Sequence, residues 1–82
     1  MNMNTALGRH FRKKAKSRKL TQHNLRDKTG WSQQQISYLM LGKRAWTADR
    51  INCVAKLFGQ RAYEFLAEAD GVPVERLRKA LN

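Results

Sequence analysis

The 82-residue sequence contains few cysteine, proline and acidic residues, and these shortages exclude several classes of protein. A single cysteine, Cys53, excludes an internal disulfide framework and is typical of a reducing compartment. No run of 18 apolar residues is present, and the first four residues lead into no apolar signal segment. We therefore expect a cytoplasmic protein, close to the nucleoid, that has no membrane partner.

Acidic residues are greatly outnumbered by basic ones. The chain has 6 Asp and Glu against 17 Lys and Arg, so its formal net charge at pH 7 is +11. Because such an excess repels itself when the chain compacts, it indicates a polyanionic partner, nucleic acid before an anionic membrane. A cationic membrane-active peptide is disfavoured, since the apolar positions are divided among several short helices.

The length and the apolar content predict one small domain spanning residues 1–82. Hydrophobic residues make up 41% of the chain, too many for a disordered protein. No segment alternates apolar and polar residues as a half-buried strand does. We therefore expect a compact all-α fold of five to six helices. The first should cover about residues 5–17, where Leu7, Phe11 and Ala15 recur every four residues.

Hydroxyl side chains and glycines mark the ends of the next three helices. A hydroxyl can cap the free N–H groups of a first turn, and glycine readily ends a helix. The expected caps and stops are Thr21 and Gly30, Ser32 and Gly42, and Thr47 and Gly59. Tyr63, Phe65 and Leu66 lie on an expected fifth helix, and Pro73 suits the first turn of a last one.

The segment of residues 21–41 has the order capped helix, glycine turn, capped helix. This is the layout of a helix-turn-helix, whose second helix lies in the major groove of DNA. Ser32 and Gln35 have the spacing of a capping box at the start of that second helix. Trp31 and Trp46, which flank helix starts, are expected to pack inward rather than stack on bases.

From about residue 7 to residue 66 the sequence resembles the Cro and lambda-repressor type of helix-turn-helix proteins, the XRE family. The residues that carry this resemblance are Leu20, Thr21, Gln22, Leu25, Gly30, Ser32, Gln33, Gln34, Ile36, Leu39, Gly42, Lys43, Arg44, Ile51, Val54, Ala55, Lys56, Phe58 and Gly59. The resemblance implies a lambda-repressor-like domain that binds a palindromic operator as a dimer. It also implies that Gln22, Lys43 and Arg44 contact backbone phosphates.

The outer side of the second motif helix carries the candidate base contacts: Gln33, Gln34, Ser37 and Tyr38. A glutamine amide has both a donor and an acceptor, which match N6 and N7 of adenine. The Tyr38 ring suits packing on the helix or on a thymine methyl equally well. Ser32 and Gln35 are further candidates for backbone contacts. The competing interpretation of this polar face is plain solvation.

The first helix is basic around most of its surface, with seven cations and no acid between Arg9 and Lys19. We favour phosphate contacts by Arg12 and Lys13 over a merely solvated face. Four departures from the family pattern are present. They are Arg26, in place of a small residue, Lys14, where many relatives have an apolar residue, the apolar pair Met40-Leu41, in place of a more polar pair, and Ala45-Trp46, where a proline is common.

The predicted function is that of a small dimeric repressor that recognises a specific DNA sequence. Two alternatives remain open: an antitoxin that represses its own operon and neutralises a toxin, and a basic RNA- or DNA-binding architectural protein. Residues 60–82 are the expected dimerisation region, through Phe65, Leu66, Val74, Leu77 and Leu81. We expect no enzyme activity or cofactor, because the sequence offers no acid–base pair or activated nucleophile. We expect no metal, because Cys53, His10 and His23 lack the spacing of a zinc site.

Overall fold

The computed structural model describes residues 2–71, which form five helices and no strand. They are α1 (Met3–Ser17), α2 (Gln22–Thr29), α3 (Gln33–Met40), α4 (Ala48–Leu57) and α5 (Ala62–Ala69). The all-α class is therefore confirmed for this range. No helix within it is long and apolar enough to cross a membrane. The expected last helix, with Val74, Leu77 and Leu81, lies outside the described residues.

The predicted caps of α2, α3 and α4 are confirmed. The hydroxyls of Thr21, Ser32 and Thr47 accept hydrogen bonds from backbone N–H groups in the first turns. At Ser32 the hydroxyl accepts from the Gln35 N–H at 3.1 Å, which is one half of the expected capping box. Helix α1 begins two residues earlier than expected, because Asn2 Oδ1 accepts from the Thr5 N–H at 2.8 Å and caps it.

Helices α1, α3 and α4 end in the same way. A backbone N–H beyond the end of each helix donates to a carbonyl five residues earlier. The residue just before that donor has a left-handed backbone. That residue is Gly42 after α3 and Gly59 after α4, but after α1 it is Lys19, with a φ of 58°. A side chain in this conformation costs about 1 kcal/mol. Helix α1 nevertheless ends at Ser17, as predicted, without the glycine that marks the other ends.

The core receives buried side chains from all five helices and is centred on aromatic rings. Phe11 meets Trp46 edge-on at 5.6 Å between ring centroids, and Phe58 stacks with Phe65 at 6.5 Å. The Trp46 indole N–H donates to the Leu39 carbonyl at 3.0 Å, so the predicted inward packing of this residue is confirmed. Trp31 is half-buried against the same core.

The expectation that Phe65 forms a dimer interface was wrong. Its side chain is 0% exposed, and its ring packs on Trp46 and Phe58 of the same chain. The physical reason is that α5 packs against both α1 and α4, so Phe65 completes the core of its own domain. Leu66 is half-buried against that core.

Helix α1 crosses the end of α3 at very short range. A Cβ atom on Gly8 would overlap the Leu39 carbonyl oxygen and would lie 2.7 Å from that of Met40. A Cβ on Gly42 would lie 2.8 Å from the Cα of Thr5. The two backbones therefore fix the position of the C-terminal end of α3 against α1.

Candidate nucleic-acid interface

A three-residue connection, Gly30 to Ser32, joins α2 to α3. Gly30 is left-handed with a φ of 77°, and its N–H donates to the Arg26 carbonyl at 2.8 Å. The next N–H, that of Trp31, donates to the Thr29 hydroxyl at 3.1 Å. These local bonds, together with the buried side chains of Leu25 and Ile36, hold α2 and α3 in one fixed arrangement.

Helix α3 has one buried side and one outward side. Ile36 and Leu39 are both 0% exposed, so the residues about 100° to 180° away around the helix must face outward. We call these residues the outer face of α3, and they are Gln33, Gln34, Ser37, Tyr38 and Leu41. The structure thus brings all four predicted base-contacting residues onto one face, with Ser37 half-buried and the other three exposed.

Two side chains of the outer face contact each other. Gln34 Nε2 donates to the Tyr38 hydroxyl oxygen at 3.2 Å. An amide uses one N–H and its oxygen in a paired contact with adenine, so this bond leaves that pair of groups available. The tyrosine therefore orients Gln34 without occupying its whole amide.

Leu41 is a member of the outer face that the sequence did not identify as a site residue. It is 51% exposed, at the C-terminal end of α3. The one available signal was the apolar pair at residues 40 and 41. That signal is ambiguous, because periodicity alone does not say which of two adjacent apolar residues faces the core.

A groove of about 240 Å³ runs beside the outer face. Its walls are Arg12 of α1, Gln22 of α2, and Ser37, Met40 and Leu41 of α3. The Gln22 side-chain oxygen is buried and has no hydrogen-bond partner. Two predicted phosphate-contacting residues, Arg12 and Gln22, are therefore placed next to the predicted base-contacting ones.

Other predicted backbone contacts are positioned differently. Lys43 and Arg44 are exposed in the loop that follows α3, and Ser32 is exposed at its cap. Lys13 lies about 100° further around α1 than Arg12 and is not part of the groove. Gln35 turns to the other side of α3, where it lines a separate depression with Trp31 and the start of α4.

The cations of α1 are divided between two sides. Lys14 Nζ and His10 Nε2 lie 2.7 Å and 3.1 Å from Glu68 Oε1 on α5. Burial alone would raise the pKa of Glu68, but hydrogen bonds from Lys14, Gln60 and His10 outweigh it and lower that pKa. No acid among residues 2–71 forms an ion pair with Arg12, Lys43 or Arg44, so their charges remain available.

Two further residues singled out in the sequence, Arg26 and Cys53, lie away from the outer face of α3. Arg26 is exposed, so it points outward rather than separating α2 from α3. Cys53 is half-buried, and burial raises the pKa of its thiol against the opposing charge of Lys56. Within the described part of the chain, no group of His, Cys, Asp and Glu side chains could hold a metal ion.

No protein-family model, curated protein or solved structure matches this chain.

Proposed function

We propose that this chain is a sequence-specific DNA-binding protein of the helix-turn-helix type that regulates transcription. The observation that supports this most is the outer face of α3, where two glutamine amides, a serine and a tyrosine lie together beside a groove that Arg12 lines. Amides in a core would be costly, and a plain solvated face needs no adjacent arginine.

The dimensions of α3 suit the major groove. An α-helix with its side chains is about 10–12 Å across, and the major groove is about 12 Å wide. Gln33 and Gln34 lie in the first turn of the helix, where base contacts are made in helix-turn-helix proteins. When the amides of Gln33 and Gln34 meet the bases, phosphates on either side are contacted by Arg12, Gln22, Lys43 and Arg44. These contacts fix the register of the protein on the DNA.

An eight-residue helix contacts only a few base pairs. We therefore propose that two copies bind a palindromic site with half-sites about 34 Å apart, and that they repress by covering a promoter. Phe65 belongs to the core of one copy and takes no part in pairing. The resemblance to Cro and lambda-repressor proteins points to the same arrangement.

Non-specific binding to nucleic acid is the second candidate, and the net charge of +11 favours it. Charge alone binds any duplex, with an affinity that falls steeply as salt rises. The two candidates differ in whether the glutamines distinguish one sequence from another. The architectural interpretation predicts equal binding to every duplex of the same length.

The test is selection of a binding site from random duplex DNA, followed by a comparison of two glutamine variants. Gln34→Ala should weaken binding to the selected site by about 1–3 kcal/mol and change binding to random duplex little. Gln35→Ala is the matched control, because it removes the same amide from the same helix but on the other side. It should leave the ratio of specific to random binding unchanged. Fluorescence anisotropy at several salt concentrations measures both affinities.

Failure of the selection to enrich any sequence would contradict the proposal and favour the architectural alternative. An equal loss on selected and random DNA for Gln34→Ala would show that this residue does not distinguish bases. A selected site without two-fold symmetry would contradict the proposed pairing of two copies.

A further inference from the structure

We propose that Leu41 recognises the C5-methyl group of a thymine in the bound DNA. This inference rests on the proposed function and adds a specificity-determining residue to it. Gln33 and Gln34 distinguish bases through hydrogen bonds. Leu41 would add an apolar contact, which distinguishes thymine from cytosine because only thymine carries the methyl group.

The exposure of apolar side chains is concentrated on the outer face of α3. Three large hydrophobic residues in the described range are exposed: Met3 (52%), Tyr38 (39%) and Leu41 (51%). Two of the three belong to the outer face, although α3 is one of the shorter helices. An exposed leucine alone is ordinary, but here it continues the row of Gln33 and Ser37 at four-residue spacing on one side of the helix.

The position of Leu41 beside Arg12 also suits a thymine methyl. Both side chains line the groove between α1 and α3. The C5 atom of a pyrimidine is on the major-groove edge, on the side of its own sugar-phosphate strand. An arginine on a phosphate and a leucine on a methyl of the same strand can therefore act side by side.

Leu41 is held in place for this contact by the close crossing of the two backbones. The adjacent Gly42 lies so near Thr5 of α1 that no Cβ would fit there without displacement. The N–H of Lys43 also donates to the Tyr38 carbonyl at 2.9 Å and closes the end of α3. The backbone at residue 41 is thus fixed, which lets a small apolar contact contribute to specificity.

The experiment removes one methyl group at a time from the DNA. Each thymine of the selected site is replaced in turn by deoxyuridine, which keeps the hydrogen-bonding edge and lacks only the methyl. For the wild-type protein, each half-site should contain one thymine whose replacement weakens binding about four-fold. Four-fold is the value of one methyl group taken out of water. Leu41→Ala removes the contact from both copies, so it should bind the thymine site about sixteen-fold more weakly than the wild type and lose its sensitivity to that replacement.

Met3→Ala is the matched control, because Met3 is equally exposed but lies at the start of α1. It should keep both the affinity and the sensitivity of the wild type. Thermal unfolding of all three proteins checks that the variants fold alike. Should Leu41→Ala remain as sensitive to deoxyuridine as the wild type, or should the wild type tolerate every replacement, the inference is wrong while sequence-specific binding stands. Equal wild-type binding to selected and random DNA would overturn the proposed function itself.

Discussion

The two sides of α1 both carry basic residues, but within residues 2–71 those on one side are paired with an acid and those on the other are not. On the side that faces α5, His10 and Lys14 converge on Glu68, and the Lys14 ammonium lies 5.6 Å from the centre of the Phe58 ring. On the side that faces α3, Arg12 borders an open groove and pairs with no acid among the described residues. Positive charge on one helix thus serves the fold on one side and stays free for a ligand on the other.

A count of charges in the sequence therefore does not locate a binding surface. Seven cations between Arg9 and Lys19 look equivalent in the sequence. One acid on α5, placed by packing, removes Lys14 from the available set. A close backbone crossing at Gly8 brings Arg12 next to α3.

The largest expected effect comes from breaking the crossing itself. Within a helix Gly→Ala usually stabilises, by about 1 kcal/mol, but Gly8→Ala would push a Cβ into two carbonyl oxygens of α3. We expect the free energy of unfolding to fall by about 2–3 kcal/mol, measured by urea denaturation. Gly30→Ala is the control. It meets no neighbouring atom and should cost about 1 kcal/mol for its left-handed backbone. Wild-type stability in Gly8→Ala would contradict the close crossing.

A smaller effect is expected on the side of α1 that faces α5. Glu68→Gln should lower the free energy of unfolding at pH 7 by about 1 kcal/mol, since its pair is only partly buried. Because folding lowers the pKa of Glu68, its contribution is present above the unfolded value, about 4.3, and is lost as the pH falls through the folded one. The difference between wild type and variant should therefore vanish in acid, as denaturation at pH 7 and pH ~3 would show.

Asp27→Asn provides the control for Glu68→Gln. Asp27 pairs with His23 on the surface, where both side chains are more than two-thirds exposed. Solvent screens such a pair, so the variant should behave like the wild type at both pH values. A loss that matched that of Glu68→Gln would show that the charge change, rather than the contact with α1, is responsible.

The smallest effect is on the salt dependence of DNA binding. Arg12→Ala should reduce the slope of log affinity against log salt by about 1.8 when two copies are bound, because each copy loses one phosphate contact worth about 0.9. Lys14→Ala is the control, because its ammonium is paired with Glu68. Equal reductions in the two variants would show that the two sides of α1 do not differ toward DNA.

Local signals in the sequence accounted for the helices well. Thr21, Ser32 and Thr47 start helices because a hydroxyl next to a helix start caps it whatever lies beyond. The end of α1 at Ser17 was also predicted, although Lys19 rather than a glycine takes the left-handed conformation there, and its start was missed because Asn2 caps it. The base-contacting candidates were predictable for a similar reason: their spacing from the buried Ile36 and Leu39 already fixed their side of α3.

By itself, then, the sequence determined the helices, their caps and the side of α3 that faces outward, because these depend on residues within about five positions of one another. Tertiary structure alone decided that Phe65 is in the core, that Lys14 is paired and that Arg12 and Leu41 share a groove. Each of these outcomes depends on how closely one helix packs on another. That packing is set jointly by residues that lie far apart in the chain.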